Sequence, residues 1–196
     1  MIYAVLSVLA LALLGLDQWV KAWTVATFAA PVPPMMYSTG DPAVEFMPGF
    51  VELTRIHNYG AAWSSFSGQR WLLLGVTFCI VIAVLVLLAK GVVRHPVGLT
   101  ACFLVLSGGI GNIIDRVRFG YVVDMFHFEF WPSYPVFNVA DICVVTGAIL
   151  GAIYYMWLYD RYDNKKLLAA KAAEAAETAG ETGGEETDGT CDAPTE

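Results

Sequence analysis

The sequence predicts an all-α membrane protein: a four-transmembrane-helix bundle carrying a small extracytoplasmic, β-rich and amphipathic subdomain. Three observations predict it. Of the 196 residues, 57% are hydrophobic and mean hydropathy is +0.59, above the roughly 45–50% apolar usage of soluble domains. Four apolar stretches approach the ~20 residues that cross ~30 Å of hydrocarbon. Two further segments alternate apolar and polar residues as strands do.

The spans are expected at about 2–23, 71–89, 96–114 and 139–159. The first is nearly continuous to Leu16 and continues through Trp19, Val20 and Trp23 despite Asp17, Gln18 and Lys21. A cleaved signal peptide is the competing interpretation. No Lys or Arg precedes the apolar stretch, and polar residues occupy the place of a cleavage region, so a retained span is expected. The second span ends in Lys90 and Arg94, the third starts after His95-Pro96 and reaches Asp115-Arg116, and the fourth runs into Asp160 and Arg161. Lys90, Arg94, Arg161, Lys165 and Lys166 assign those ends to the cytoplasm, with both termini inside.

Residues 24–70 and 115–138 then lie on the outer side of the 1–168 membrane domain. Pro31, Pro33, Pro34, Pro42 and Pro48 argue against long regular structure between 24 and 50. Residues 51–57 read as a strand. So does the stretch 121–131, where alternation is clear from Phe126. Together they suggest a small sheet resting on the bilayer, with aromatics at headgroup depth. Residues 169–196 hold eight acids and one Lys; an acidic, disordered cytoplasmic tail is expected.

That tail accounts for the whole −7 net charge, because acids and bases balance in the rest of the chain. No basic stripe points to nucleic acid. Cys79, Cys102 and Cys143 sit in apolar runs and Cys191 in the tail; no C-x-x-C pair suggests zinc or redox chemistry. No cofactor or metal is expected.

Chemistry concentrates between residues 112 and 141. A carboxylate in or beside a bilayer costs about 2.5–3.5 kcal/mol on insertion scales, so Asp115, Asp124 and Asp141 are expected to face protein. Asn112, Asp115 and Arg116 stand at i, i+3 and i+4, on one side of the third span. Gly108, Gly109 and Gly111 precede them and permit close approach of another helix or a peptide. Asp115 and Arg116 taken alone could be a snorkelling pair that ends the helix, the Arg keeping the Asp ionised. Asn138 and Asp141 have capping-box spacing, and the helix dipole favours charge on Asp141. If Asp124 approaches Asp141, the two cannot both ionise and one proton becomes shared, as acid/base peptide hydrolysis requires.

Several segments resemble the lipoprotein signal peptidase (signal peptidase II) family. They are Asp17-Gln-Trp-Val-Lys21, Asn58-Tyr-Gly60-Ala-Ala62-Trp-Ser, Gly111-Asn112-Ile-Ile-Asp115-Arg116, Gly120-Tyr-Val-Val-Asp124 and Phe137-Asn138-Val-Ala-Asp141. The resemblance covers about residues 1–160, in order. It implies a bacterial inner-membrane aspartic peptidase that cuts diacylglyceryl-modified prolipoproteins just before the lipidated cysteine, and a target for globomycin-type inhibitors. By the same resemblance, Asp124 and Asp141 form the catalytic dyad. Asp17, Lys21, Asn58, Gly60, Asn112, Asp115, Arg116 and Asn138 would line or brace the site. Trp63 departs from the family's usual Phe, and the Pro-rich 31–48 segment is longer than usual.

The residues also leave alternatives. Asp17 and Lys21, at i and i+4, could be a simple helix-end ion pair. A metallopeptidase would need a motif such as H-E-x-x-H, whereas His57, His95 and His127 are scattered. A serine peptidase could use Ser107 but lacks a His within a span. A small transporter would carry charge near mid-bilayer, and here the charges gather at span ends.

Overall fold

The computed structural model describes residues 1–31, 43–61, 65–165 and 168–169. Most of the Pro-rich stretch, Trp63 and the acidic tail lie outside the described residues. Helix α1 runs Ile2–Thr27, α2 Arg70–Ala89, α3 Pro96–Arg118 and α4 Val139–Ile153, the last continuing as a π-helical segment, Tyr154–Asn164. All four are long and apolar enough to cross a membrane. Strands β1 (Val44–Met47), β2 (Val51–Asn58) and β3 (Val122–Phe128) form one antiparallel sheet in that order.

α1 and α3 run past the ends expected from hydropathy, as does the π-helical continuation of α4, which reaches Asn164. α1 reaches Thr27 because Asp17 and Lys21 are 1% and 3% exposed, held inside the bundle and not at a helix end. α3 continues to Arg118 because Asp115 and Arg116 are likewise buried; they neither snorkel nor pair with each other. β1 falls at the edge of the Pro-rich region, where a turn at 48–50 folds it back onto β2. In β2, alternation sends Val51, Leu53, Arg55 and His57 inward. Leu53, Val123, Met125 and Phe28 form the core that seats the sheet on the end of α1.

α3 is the central helix, packed against α1, α2 and α4. Its glycines set the closeness of that packing. A Cβ on Gly108 would collide with the Ala140 carbonyl oxygen and Val144, and one on Gly111 would stand 2.6 Å from Asp17 Oδ2. At the opposite end, Asp163 accepts from the backbone N–H of Arg94 and His95 (3.0 Å each) and from the Tyr154 hydroxyl (2.6 Å). That carboxylate fastens the α2–α3 loop to the fourth helix.

Candidate active site

The site stands where α1, α3, α4, β2 and β3 meet, and it has two layers. The lower layer centres on the Lys21 ammonium. It reaches Asp17 Oδ2 at 2.9 Å, Asp115 Oδ2 at 3.0 Å and Asn112 Oδ1 at 3.1 Å, which uses all three of its donors. A buried charge is tolerable only when paired and fully hydrogen-bonded. Here the partners are shared further: Asp17 Oδ1 accepts from the Ala140 backbone N–H (2.9 Å), and Asp115 Oδ2 accepts from that of Val123 (3.1 Å). One lysine thereby ties α1, α3, α4 and β3 together. The cation beside Asp115 is Lys21 and not its sequence neighbour Arg116.

The upper layer holds the two remaining acids. Asn58 Nδ2 donates to Asp124 Oδ2 at 2.9 Å and Asn138 Nδ2 to Asp124 Oδ1 at 2.6 Å. Asn112 Nδ2 donates to Asp141 Oδ1 at 2.8 Å, and the Asn138 backbone N–H to Asp141 Oδ2 at 3.2 Å. The last bond completes a capping box with Asp141 N–H on Asn138 Oδ1 (2.9 Å).

Each amide orientation is fixed by groups that can only donate. The Gly60 backbone N–H donates to Asn58 Oδ1 (2.9 Å), the Asp141 N–H to Asn138 Oδ1, and Lys21 to Asn112 Oδ1. Every Nδ2 is therefore left to point at a carboxylate. Asn138 Nδ2 also reaches Asn112 Oδ1 at 3.2 Å, so the amides bridge one aspartate to the other.

Asp124 is 1% exposed, while Asp141 is partly open. Burial, then the neighbouring Asp141 carboxylate, pushes the Asp124 carboxyl up to about 8. The two amide donors favour its charged form, but desolvation beside a like charge outweighs them. Both acids line a cavity of about 660 Å³ with Asn58, Asn112 and Arg116. Its remaining wall is mainly apolar: Leu72, Val76, Thr77 and Ile80 from α2, Val144 and Val145 from α4, and Val136 and Phe137 from the loop before α4. Arg116 donates to the Gly60 carbonyl at 2.9 Å and fixes the turn after β2.

All ten residues singled out from the sequence thus fall in one connected network: Asp17, Lys21, Asn58, Gly60, Asn112, Asp115, Arg116, Asp124, Asn138 and Asp141. One participant, Gln18, and two buried neighbours on β2, Arg55 and His57, were missed. Gln18 donates to Asp17 Oδ2 (3.1 Å), Asp115 Oδ1 (3.3 Å) and the Gly111 carbonyl (3.4 Å); its place beside Asp17 was the available signal. Arg55 and His57 are 7% and 8% exposed. The period-2 pattern from Val51 and Leu53 already placed both on the inner face. The histidines lie apart: His57 in β2, His95 capping α3, His127 in β3 beside Glu52 at 2.6 Å. Among the described residues, no three or more His, Cys, Asp or Glu are grouped as metal ligands.

Four membrane-length helices around an inward-facing carboxylate pair define a multi-pass membrane protein. The signal peptidase (SPase) II family matches residues 9–157, and the chain belongs to that family. It is similar to the lipoprotein signal peptidase of Enterococcus faecalis, 42% identical over 145 residues, covering 72% of this chain and 81% of the relative. The Streptococcus thermophilus lipoprotein signal peptidase is 37% identical over 147 residues, 75% of this chain and 88% of the relative. A solved bacterial membrane enzyme superposes with a TM-score of 0.67 at 31% identity, over 80% of this chain and 89% of that one. A second gives 0.64 at 32% identity, over 78% and 93%.

Proposed function

We propose that the protein is a lipoprotein signal peptidase working as an aspartic endopeptidase. It removes signal peptides from diacylglyceryl-modified prolipoproteins by cleaving just before the lipidated cysteine. The observation that carries this reading is the amide-bridged Asp124–Asp141 pair opening on an apolar cavity.

Asp124, with its raised pKa, holds the proton. Asp141, at the start of α4, is the ionised partner favoured by the helix dipole and its capping box. As a water oxygen bonds to the scissile carbonyl carbon, Asp141 takes a water proton. Asp124 gives its own proton to the amide nitrogen as the C–N bond breaks. The proton on Asp141 then passes back within the pair, restoring the starting state. Asn58, Asn112 and Asn138 keep both carboxylates aimed, while Lys21, Asp17 and Asp115 brace the amides from below.

Access favours a substrate that never leaves the membrane. α2 packs on α3 and makes no comparable contact with α1 or α4, so the cavity lies along a cleft between α2 and α4. An apolar signal peptide and its acyl chains could reach the dyad sideways from lipid. In this reading the sheet rests on the outer face of the bacterial inner membrane, both termini are cytoplasmic, and globomycin-type cyclic peptides occupy the same cavity.

The deciding experiment is cleavage of a diacylglyceryl-modified prolipoprotein by purified enzyme. Asp124→Asn and Asp141→Asn should each lose about 10²–10⁴-fold in turnover, the usual contribution of general acid–base catalysis, while inserting normally. Near-normal turnover by either variant would falsify the dyad.

A further inference from the structure

Arg55 lies inside the protein with no carboxylate partner for its hydrogen bonds among the described residues, and it does three things there. Its Nη1 donates to the Val25 carbonyl at 3.2 Å and the Phe28 carbonyl at 3.0 Å, both at the end of α1. Carbonyls in a helix's last turn lack intrahelical donors, and a cation there also meets the negative end of the dipole. Its Nε donates to His57 Nε2 at 3.2 Å. A guanidinium can only donate, so His57 must be neutral with its ring proton on Nδ1. Burial, then the Arg55 charge, holds the His57 pKa down to about 4, consistent with that form.

The His57 ring stacks on Tyr121, with centroids 3.9 Å apart and planes 16° from parallel. His57 pairs with Val123 and Asn58 with Val122 in the β2–β3 ladder. The next side chain along β2 is Asn58, which grips Asp124. Arg55 therefore joins the helix that carries Lys21 to the strand end that carries Asn58.

Resting on the dyad reading above, we infer that Arg55 is a positioning residue for the peptidase. Acting through a neutral His57, it holds the end of β2 in register with α1, so that Asn58 and the Lys21-braced Asn112 present their carboxylates in one frame. It touches neither acid, and its effect passes through Asn58. Its loss should lower turnover and leave substrate affinity nearly unchanged, since the apolar wall of the cavity is built from α2, α4 and the loop before α4.

The test is steady-state and single-turnover cleavage by the full-length enzyme in detergent, giving kcat and KM for Arg55→Met, His57→Phe, His57→Gln, Asn58→Ala, Arg55→Met with Asn58→Ala, and Asp124→Asn. Because displacements of an ångström cost orders of magnitude in rate, Arg55→Met and His57→Phe should lower kcat about tenfold or more, with KM within about twofold. His57→Gln keeps an acceptor for Arg55 and should stay within about threefold of wild type. In the Asn58→Ala background, Arg55→Met should remove less than about twofold more, because two changes on one route do not add.

Wild-type kcat in Arg55→Met, an equal fold loss in both backgrounds, or equal damage from both His57 variants would each overturn the inference. If Arg55→Met fails to insert, the two His57 variants decide it. Loss of turnover in Asp124→Asn with wild-type kcat in Arg55→Met overturns this inference alone. Turnover retained by Asp124→Asn overturns the dyad reading on which it rests.

Discussion

α2 and α3 are both apolar and membrane-length, yet the fold uses them in opposite ways. α3 buries eleven residues, among them Gly108, Gly111, Asn112, Asp115 and Arg116, whereas α2 buries only Val81. The more apolar of the two is the less buried. In lipid, apolarity gives no reason for helices to associate; small residues and polar partners do that. The α1–α3–α4 side is consequently a rigid polar brace, and the α2 side is an apolar wall that leaves room for a ligand. In the proposed mechanism, one side aims the acids and the other admits what they act on.

The sharpest way to break that division is to strike the dyad, where Asp124→Asn or Asp141→Asn should lower turnover about 10²–10⁴-fold while the packing on both sides persists. Next in size is Lys21→Met, which leaves Asp17 and Asp115 facing each other in the interior without their cation. Removing one partner of a buried ionic network costs about 3–5 kcal/mol, so the thermal midpoint in detergent should fall steeply, together with activity. Gly111→Ala probes the same side more gently. Its new methyl group would stand 2.6 Å from Asp17 Oδ2, and overpacking of this kind costs about 1–3 kcal/mol. An unchanged midpoint would mean that α1 and α3 can part without cost.

Proton occupancy gives a subtler test. The Asp124 pKa is raised from 3.8 to about 8, so the acid form persists through neutral pH and is lost as pH rises through that value. Above about pH 8, kcat/KM should fall roughly tenfold per pH unit. Between 3.8 and about 8 the folded state holds a proton that the unfolded chain lacks, so this group's contribution to stability declines with rising pH across that window. A flat kcat/KM up to pH 10 would move the proton elsewhere. The smallest effect is expected on the open wall. Val76→Ala should shift stability by no more than about 0.5 kcal/mol, yet raise KM by up to roughly tenfold through lost apolar contact. Equal effects on stability and KM would erase the contrast between the two sides.

Part of this organisation was already legible in the residues. Apolar runs of the right length located all four helices, because hydrocarbon imposes a length that composition alone satisfies. The spacing Asn138–Asp141 gave the capping box, since helix starts are local events. The i, i+3, i+4 set on α3 gave a shared face, because helical periodicity fixes which side chains lie together. Alternation located β2 and β3 but missed β1, four exposed residues whose pairing with β2 depends on a turn and not on a pattern.

The sequence alone therefore determined the membrane class, the helices and the short list of polar residues that a bilayer would not tolerate without a purpose. Partnership was decided only by the tertiary structure. Lys21 answers Asp115 from 94 positions away, while the adjacent Arg116 turns to Gly60. Arg55 serves α1 and His57, with no acid among its partners in the described residues. Local spacing fixes the direction in which a side chain leaves its own element. Which group it meets there depends on how that element packs against the others, and on every buried donor having to find an acceptor.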